Sequence, residues 1–201
     1  MNIEDFKKAL EIIKANESII IHRHSNPDGD ALGSQVGLLH IIKENYPEKS
    51  VYIVGDESER YGFIPNRIMD TVDDSLFPSS LSIILDTSSP SLISDQRWRN
   101  AKESLRFDHH LFIEKIADYE VVDSTYESSC GLVADFAKTL GLKVNDNAAK
   151  ALYTGLVTDS GRFLYDSVSS RTHNIAAFLL ERNFDRNAIY RNLYVEDLKS
   201  V

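Results

Sequence analysis

Short apolar runs separated by helical patterns set the framework of this chain. The β-branched run Ile19 to Ile21 predicts a buried first strand over Ile19 to His22, and the amphipathic pattern of Ile3 to Lys14 predicts a helix before it. Asn26-Pro27-Asp28-Gly29 is turn chemistry, and Ser34 to Asn45 predicts a crossover helix with Val36, Leu39 and Ile42 on one face, ended by Tyr46-Pro47. Further strands are expected at Val51 to Val54, Ser82 to Asp86, Leu105 to Asp108 and Tyr119 to Val122. Leu132 to Leu140 is expected to be helical behind the capping run Ser128-Ser129-Cys130-Gly131, which also offers phosphate a helix N-terminus. Another helix runs from Asn145 or Asp146 to a turn at Asp159-Ser160-Gly161. The interval Asp56 to Ser80 carries no readable period. This alternation, free of repeats, predicts an α/β fold: a mostly parallel five-stranded sheet with helices on both faces.

In such folds ligands bind beyond the carboxyl ends of the strands, and here that edge gathers acids and imidazoles. The first strand leads into His24, Asp28 and Asp30, spaced HxxxDxD; the third ends in Asp86; the fourth ends in Asp108-His109-His110; the later helix ends in Asp159, beside Arg162. An imidazole and two carboxylates on one turn suit a divalent metal. Oxygen donors outnumber nitrogen and no thiolate is near, which favours Mn²⁺ or Mg²⁺ over structural zinc. Each position also has an ordinary reading: an Asp-rich turn is a solvated loop and helix cap, Asp86 caps a turn, His109 and His110 are half-buried imidazoles, and Asp159 is solvated beside a glycine C-cap. Those readings weaken when taken jointly.

With 201 residues, 42% of them hydrophobic, the chain can bury a full core. Its one cysteine, Cys130, excludes an internal disulfide framework, fits a reducing compartment and reads as a small packing residue. The charged N-terminus is no signal peptide and no apolar run approaches the roughly 20 residues of a membrane span, so a cytoplasmic protein without membrane partners is expected. A net charge of −9 argues against duplex DNA as a partner. It leaves room for a small phosphorylated substrate, because bound cations invert the local sign. His22 reads as structural, and Tyr61, Phe63 and Trp98 as local packing.

His24 to Ser34 (HSNPDGDALGS), Leu85 to Ser89 (LDTSS), Phe107 to His110 (FDHH) and Thr158 to Phe163 (TDSGRF) resemble, in order, the four signature motifs of the DHH phosphoesterases, and the likeness spans nearly the whole chain. IIIHRHSNPDGDALGSQ and GLVTDSGRF resemble most the bacterial nanoRNase and pAp phosphatase branch. The resemblance implies a two-metal site. His24 and Asp28 would hold one Mn²⁺, Asp30, His109 and Asp159 the other, and Asp86 would bridge them, with Mg²⁺ or Co²⁺ as other ions. The four carboxylates then balance two dications. It leaves Asp108 to orient His109 or a metal-bound water, His110 to contact the phosphate or protonate the leaving oxygen, and Arg162 and Arg171 to neutralise phosphate oxygens.

The implied activity is hydrolysis of very short single-stranded RNA and removal of phosphate from adenosine 3′,5′-bisphosphate (pAp), by a chain that resembles homodimeric enzymes. Hydrolysis of pApA or cyclic dinucleotides, and non-catalytic nucleotide binding, are the alternatives. Members of this branch carry a smaller C-terminal domain that grips the substrate's terminal phosphate. Residues 1–182 are therefore expected to be the catalytic domain and residues 183–201 a linker helix, with the C-terminal domain absent from what would be a truncated chain.

Overall fold

A computed structural model describes residues 3–66 and 68–199. The elements are α1 (Ile3–Ala15), β1 (Ser18–His22), α2 (Gly29–Asn45), β2 (Ser50–Ile53), β3 (Leu81–Leu85), β4 (Glu103–Asp108), β5 (Tyr119–Val122), α3 (Ser129–Thr139), α4 (Asp146–Asp159), α5 (Ser170–Leu180) and α6 (Arg186–Lys199), with short 3-10 helices at Asp74–Ser79, Pro90–Leu92 and Gln96–Asn100. All five strands are parallel, in the order β2-β1-β3-β4-β5. This is the expected α/β architecture. No helix among the described residues is long and apolar enough to cross a membrane.

Helices cover both faces of the sheet, but of different kinds. Ile19, Ile21, Ile83, Leu85, Leu105 and Phe107 meet the α-helices in the main core, where Phe6 of α1 and Phe107 of β4 both pack edge-on against Phe136 of α3. The opposite face meets the 3-10 helices, with Ile20 on Phe77 and Ile84 beside Trp98. That face also carries polar residues. His22, fully buried, shares a hydrogen bond of 3.1 Å with Ser82 and leans on Phe77, and desolvation pushes its pKa down to about 4, as suits a structural imidazole.

Two features differ from the sequence expectation, and the segment expected as a linker helix is helical and packs on the core. α2 begins at Gly29 rather than Ser34, because Asp28 caps it, accepting the N–H groups of Asp30 and Ala31 at 2.9 Å each. α5 has no counterpart in the sequence reading; its first turn is closed by the Ser169 N–H donating to Thr172 Oγ1 at 3.0 Å. α6 lies in the segment expected as a linker helix, yet Ile189 and Leu193 join the main core. Residues 200 and 201 of that segment lie outside the described residues.

The contact that matters most for the site is between α2 and α4. Gly29, Gly33 and Gly37 recur every fourth residue on α2, one stripe of a helix surface, and face Thr158, Ala151 with Gly155, and Leu152 of α4. The two helices therefore run antiparallel and nearly touch, setting the start of α2 beside the end of α4. A Cβ on Gly33 would lie 2.6 Å from the Ala151 carbonyl oxygen and 2.9 Å from Cys130 Sγ. Gly33→Ala should therefore force the helices apart and cost roughly 1–3 kcal/mol, read from urea unfolding; a variant as stable as the wild type would show that the close approach is not required.

Candidate metal centre

The strand order reverses between β1 and β3, and at such a switch point the loops leaving neighbouring strands diverge and open a crevice. Into it run the turn after β1, Asp86 just past β3, and His109-His110 just past β4. The C-terminus of α4 adds Asp159 and the N-terminus of α3 adds backbone N–H groups.

Asp30 is 1% exposed and is fixed by α3, whose Ser129 and Cys130 N–H groups donate to its two carboxylate oxygens at 2.7 and 2.8 Å. The helix N-terminus expected to offer a phosphate contact is thus occupied by the protein's own carboxylate. Ser128 caps α3 as expected, accepting from the Gly131 N–H at 2.9 Å. Asp86, 2% exposed, adopts a left-handed backbone (φ 52°), a conformation that costs a non-glycine residue roughly 1–3 kcal/mol. Ser129 Oγ donates to it at 3.2 Å. His24 Nδ1 donates to the Ser25 carbonyl at 2.8 Å, turning Nε2 toward the acids.

The donor atoms converge. His24 Nε2 lies 3.8 Å from Asp28 and 3.5 Å from Asp86, and His109 Nε2 lies 3.8 Å from Asp30, 3.5 Å from Asp86 and 3.4 Å from Asp159. His24, Asp28 and Asp86 form one group with donor atoms all within 4.8 Å of one another, and Asp30, His109 and Asp159 form another. The two oxygens of Asp86 face different imidazoles, so this carboxylate joins the groups. Hard oxygens with one nitrogen per group make a donor set that fits Mn²⁺ or Mg²⁺.

Protonation follows from this crowding. Burial, then the charges of Asp86 and Asp159, raise Asp30 well above the usual carboxylate range, and burial with the same kind of repulsion lifts Asp159 to about 6. Burial alone would lower the imidazoles, but Asp28 and Asp86 hold His24 at about 10, and Asp86, Asp30 and Asp159 hold His109 there. Asp86 stays low despite its burial, because both imidazolium ions face it. Protons thus occupy the positions that cations would take.

Behind the cage lies a second set of charges. His110 Nδ1 donates to Asp108 at 2.7 Å, so Asp108 orients His110 rather than His109. Asp108, fully buried, also pairs with the fully buried Arg106, which reaches Glu120 at 3.2 Å. Burial acts against it, yet His110 and Arg106 hold Asp108 below the usual carboxylate range, and Asp108 in turn raises His110. Arg106 and Glu120 escaped the sequence reading; an arginine in the middle of a buried strand was their signal. A cavity of about 240 Å³, lined also by Thr87, Ser88 and Leu92, opens over the cage.

Arg162 lies beside the cage, lining a neighbouring cavity with Asp28 and Asp159. Arg171 is not brought to the cage: its guanidinium stacks 3.6 Å above the Tyr126 ring and donates to Thr125. Cys130 is buried with its Sγ 3.5 Å from the Asp30 carbonyl oxygen, a packing position. Tyr61 and Trp98 are buried, and Phe63 packs against the main core.

The model of the DHH family, N-terminal domain, matches residues 18–156. The chain is 40% identical over 188 residues to the "Probable bifunctional oligoribonuclease and PAP phosphatase NrnA" of Streptococcus mutans, covering 94% of this chain and 60% of that protein. It is 33% identical over 195 residues to the "Bifunctional oligoribonuclease and PAP phosphatase NrnA" of Bacillus subtilis, covering 96% and 62%. The chain thus spans less than two thirds of those relatives' length. Its fold resembles that of an exopolyphosphatase-related protein from Bacteroides fragilis, at a TM-score of 0.85 and 23% identity over 96% of this chain and 61% of that one. The match across residues 18–156, which takes in the turn after β1, the end of β3 and the imidazoles after β4, places this chain in the DHH family.

Proposed function

We propose that this chain is the catalytic part of a Mn²⁺-dependent phosphoesterase that hydrolyses very short oligoribonucleotides and removes phosphate from pAp. The observation that carries the reading is the pair of donor groups joined through Asp86. The names of the Streptococcus and Bacillus relatives supply the substrates. In this reading His24 and Asp28 hold one ion, Asp30, His109 and Asp159 the other, and Asp86 both. Ions held by these residues would supply Lewis-acid stabilisation of a phosphoryl group and a bound water of lowered pKa as nucleophile.

The chain's own side chains do the rest. Asp30 is pinned by two backbone donors and Asp86 by Ser129, so neither has to reorganise. His110 is oriented through Nδ1 by Asp108, which leaves Nε2 to hold a proton for the leaving oxygen. Arg106 keeps Asp108 anionic, so the imidazole stays charged until that proton moves. Arg162 neutralises non-bridging phosphate oxygens from the adjoining cavity. Catalysis is assigned to residues 1–182, with residues 183–201 as the connecting segment, in a cytoplasmic protein.

Asp86→Asn keeps the side chain's shape and tolerates the left-handed backbone, yet removes the shared charge. Its hydrolysis of pAp should fall more than roughly a hundredfold, and a variant with wild-type turnover would contradict the bridging role. His110→Ala should leave Mn²⁺ affinity intact while lowering kcat by roughly 10²–10⁴; unchanged kcat would remove its role as proton donor. Because the imidazoles hold protons up to about 10 and Asp159 up to about 6, ion binding must expel protons. Mn²⁺ affinity should therefore be higher at pH 8 than at pH 6, and calorimetry in buffers of different ionisation enthalpy should register released protons. An affinity indifferent to pH would mean that the ion binds elsewhere.

A further inference from the structure

His24 forms one side of the cage, and the backbone that carries it is held from outside. β1 ends at His22, and the next residue, Arg23, is fully buried. Its Nε donates to Gln35 Oε1 at 3.0 Å, Nη1 donates to the His24 carbonyl at 2.9 Å and to Asp56 Oδ1 at 3.1 Å, and Nη2 donates to the Asp56 carbonyl. Gly55 permits this approach. Its φ is 137°, and a Cβ there would lie 3.1 Å from Arg23 Nη1, so the chain leaving β2 folds over the guanidinium because position 55 has no side chain.

Asp56 then ties three segments together. Its Oδ2 accepts the N–H of Asn26, a left-handed residue (φ 50°) on the other side of His24 from Arg23, at 2.8 Å. Its Oδ1 also accepts Ser94 Oγ at 2.5 Å. Ser94 lies in the loop after β3, and that loop pairs antiparallel with the turn: Ser25 N–H donates to the Leu92 carbonyl at 2.8 Å and Ser94 N–H to the Arg23 carbonyl at 3.0 Å, with His24 opposite Ile93. One carboxylate thus fastens the chain on both sides of His24 to its neighbouring loop. Burial acts against its charge, yet the Ser94, Asn26 and Arg23 donors hold it below the usual carboxylate range. The other half of the cage has separate supports: Asp30 is held by α3, His109 follows β4 and Asp159 ends α4.

Building on the metal-centre reading, we propose that Asp56 is a positioning residue for His24. By fixing the backbone at Arg23 and Asn26 it sets where the imidazole enters the cage, and so it supports the group of His24, Asp28 and Asp86 without supporting that of Asp30, His109 and Asp159. Asp56 stands outside every motif the chain displays, in the interval with no readable period.

The test is Mn²⁺ binding to the wild-type chain, Asp56→Ala and Asp56→Asn, followed by calorimetry and by electron paramagnetic resonance, which separates a lone ion from a magnetically coupled pair. Thermal unfolding without metal checks that each variant is folded; the Asp56 side chain is 38% exposed, so water can take its place. The wild type should bind a pair of ions. Asp56→Ala should hold one with wild-type affinity and the other roughly tenfold or more weaker, as when a group behind a metal ligand is lost, so that the coupled signal needs correspondingly more Mn²⁺. Asp56→Asn, whose amide oxygen can still accept the Asn26 N–H, should recover part of the loss. An Ala variant that binds both ions as the wild type does, or that weakens both alike as a general loss of support would, overturns the positioning role and leaves the metal centre standing. A wild type that binds no pair overturns the metal centre and this role with it.

Discussion

Mutual repulsion among Asp28, Asp30, Asp86 and Asp159 is the constraint on which the rest of this structure depends. These carboxylates meet across a few ångströms, two of them almost fully buried, where charges interact far more strongly than in water. The repulsion is offset by the His24 and His109 imidazoles, which, despite their burial, the facing acids hold protonated up to about 10, and together with burial it drives the pKa of Asp30 upward. The fold thus holds an arrangement that is costly by itself and that divalent cations, in the proposed reading, would relieve. A cluster of this kind marks a candidate functional site rather than a stabilising one.

The scaffold can hold such a cluster because each acid is tied by an element that cannot easily give way. Asp28 caps α2 and Asp30 sits on the N-terminus of α3, so the helix ends favour the negative charge that the neighbouring acids oppose. The glycine stripe on α2 lets α4 approach until Asp159 reaches the same crevice. On the other side of β1, the buried Arg23 donates to Gln35 at 3.0 Å and pairs with Asp56 at 3.1 Å, while Gln35 donates to the Ile21 and Val54 carbonyls at 2.7 and 2.9 Å. These bonds fix the strand end from which the HxxxDxD turn departs.

Behind the cage, Glu120, Arg106 and Asp108 form a buried line of alternating charge that ends on His110 at the cavity. Arg106 and Glu120 are register partners on β4 and β5, so the sheet itself sets their distance. In front of the cage, Asp28 and Asp159 stand between two cavities of different character, one lined by imidazoles and the other by guanidinium groups.

Local sequence determined a good deal by itself. Short apolar runs bounded by turns are a strong signal, so the five strands and their α/β setting were legible, and the acids and imidazoles at the carboxyl ends of several marked one rim. What the sequence could not carry is which groups face one another. Asp28 both caps α2 and faces His24, which moves the helix start to Gly29, and spacing alone cannot reveal a double role. Arg171, close in sequence to the TDSGRF turn, stacks on Tyr126 instead of reaching the cage, while Arg60, from the interval with no readable period, lines a cavity beside it. Strand and turn formation depend on neighbours a few residues away, whereas the pairing of Asp30 with α3 or of Asp108 with His110 and Arg106 depends on helix approach and strand register. Those long-range distances exist only once the chain has packed.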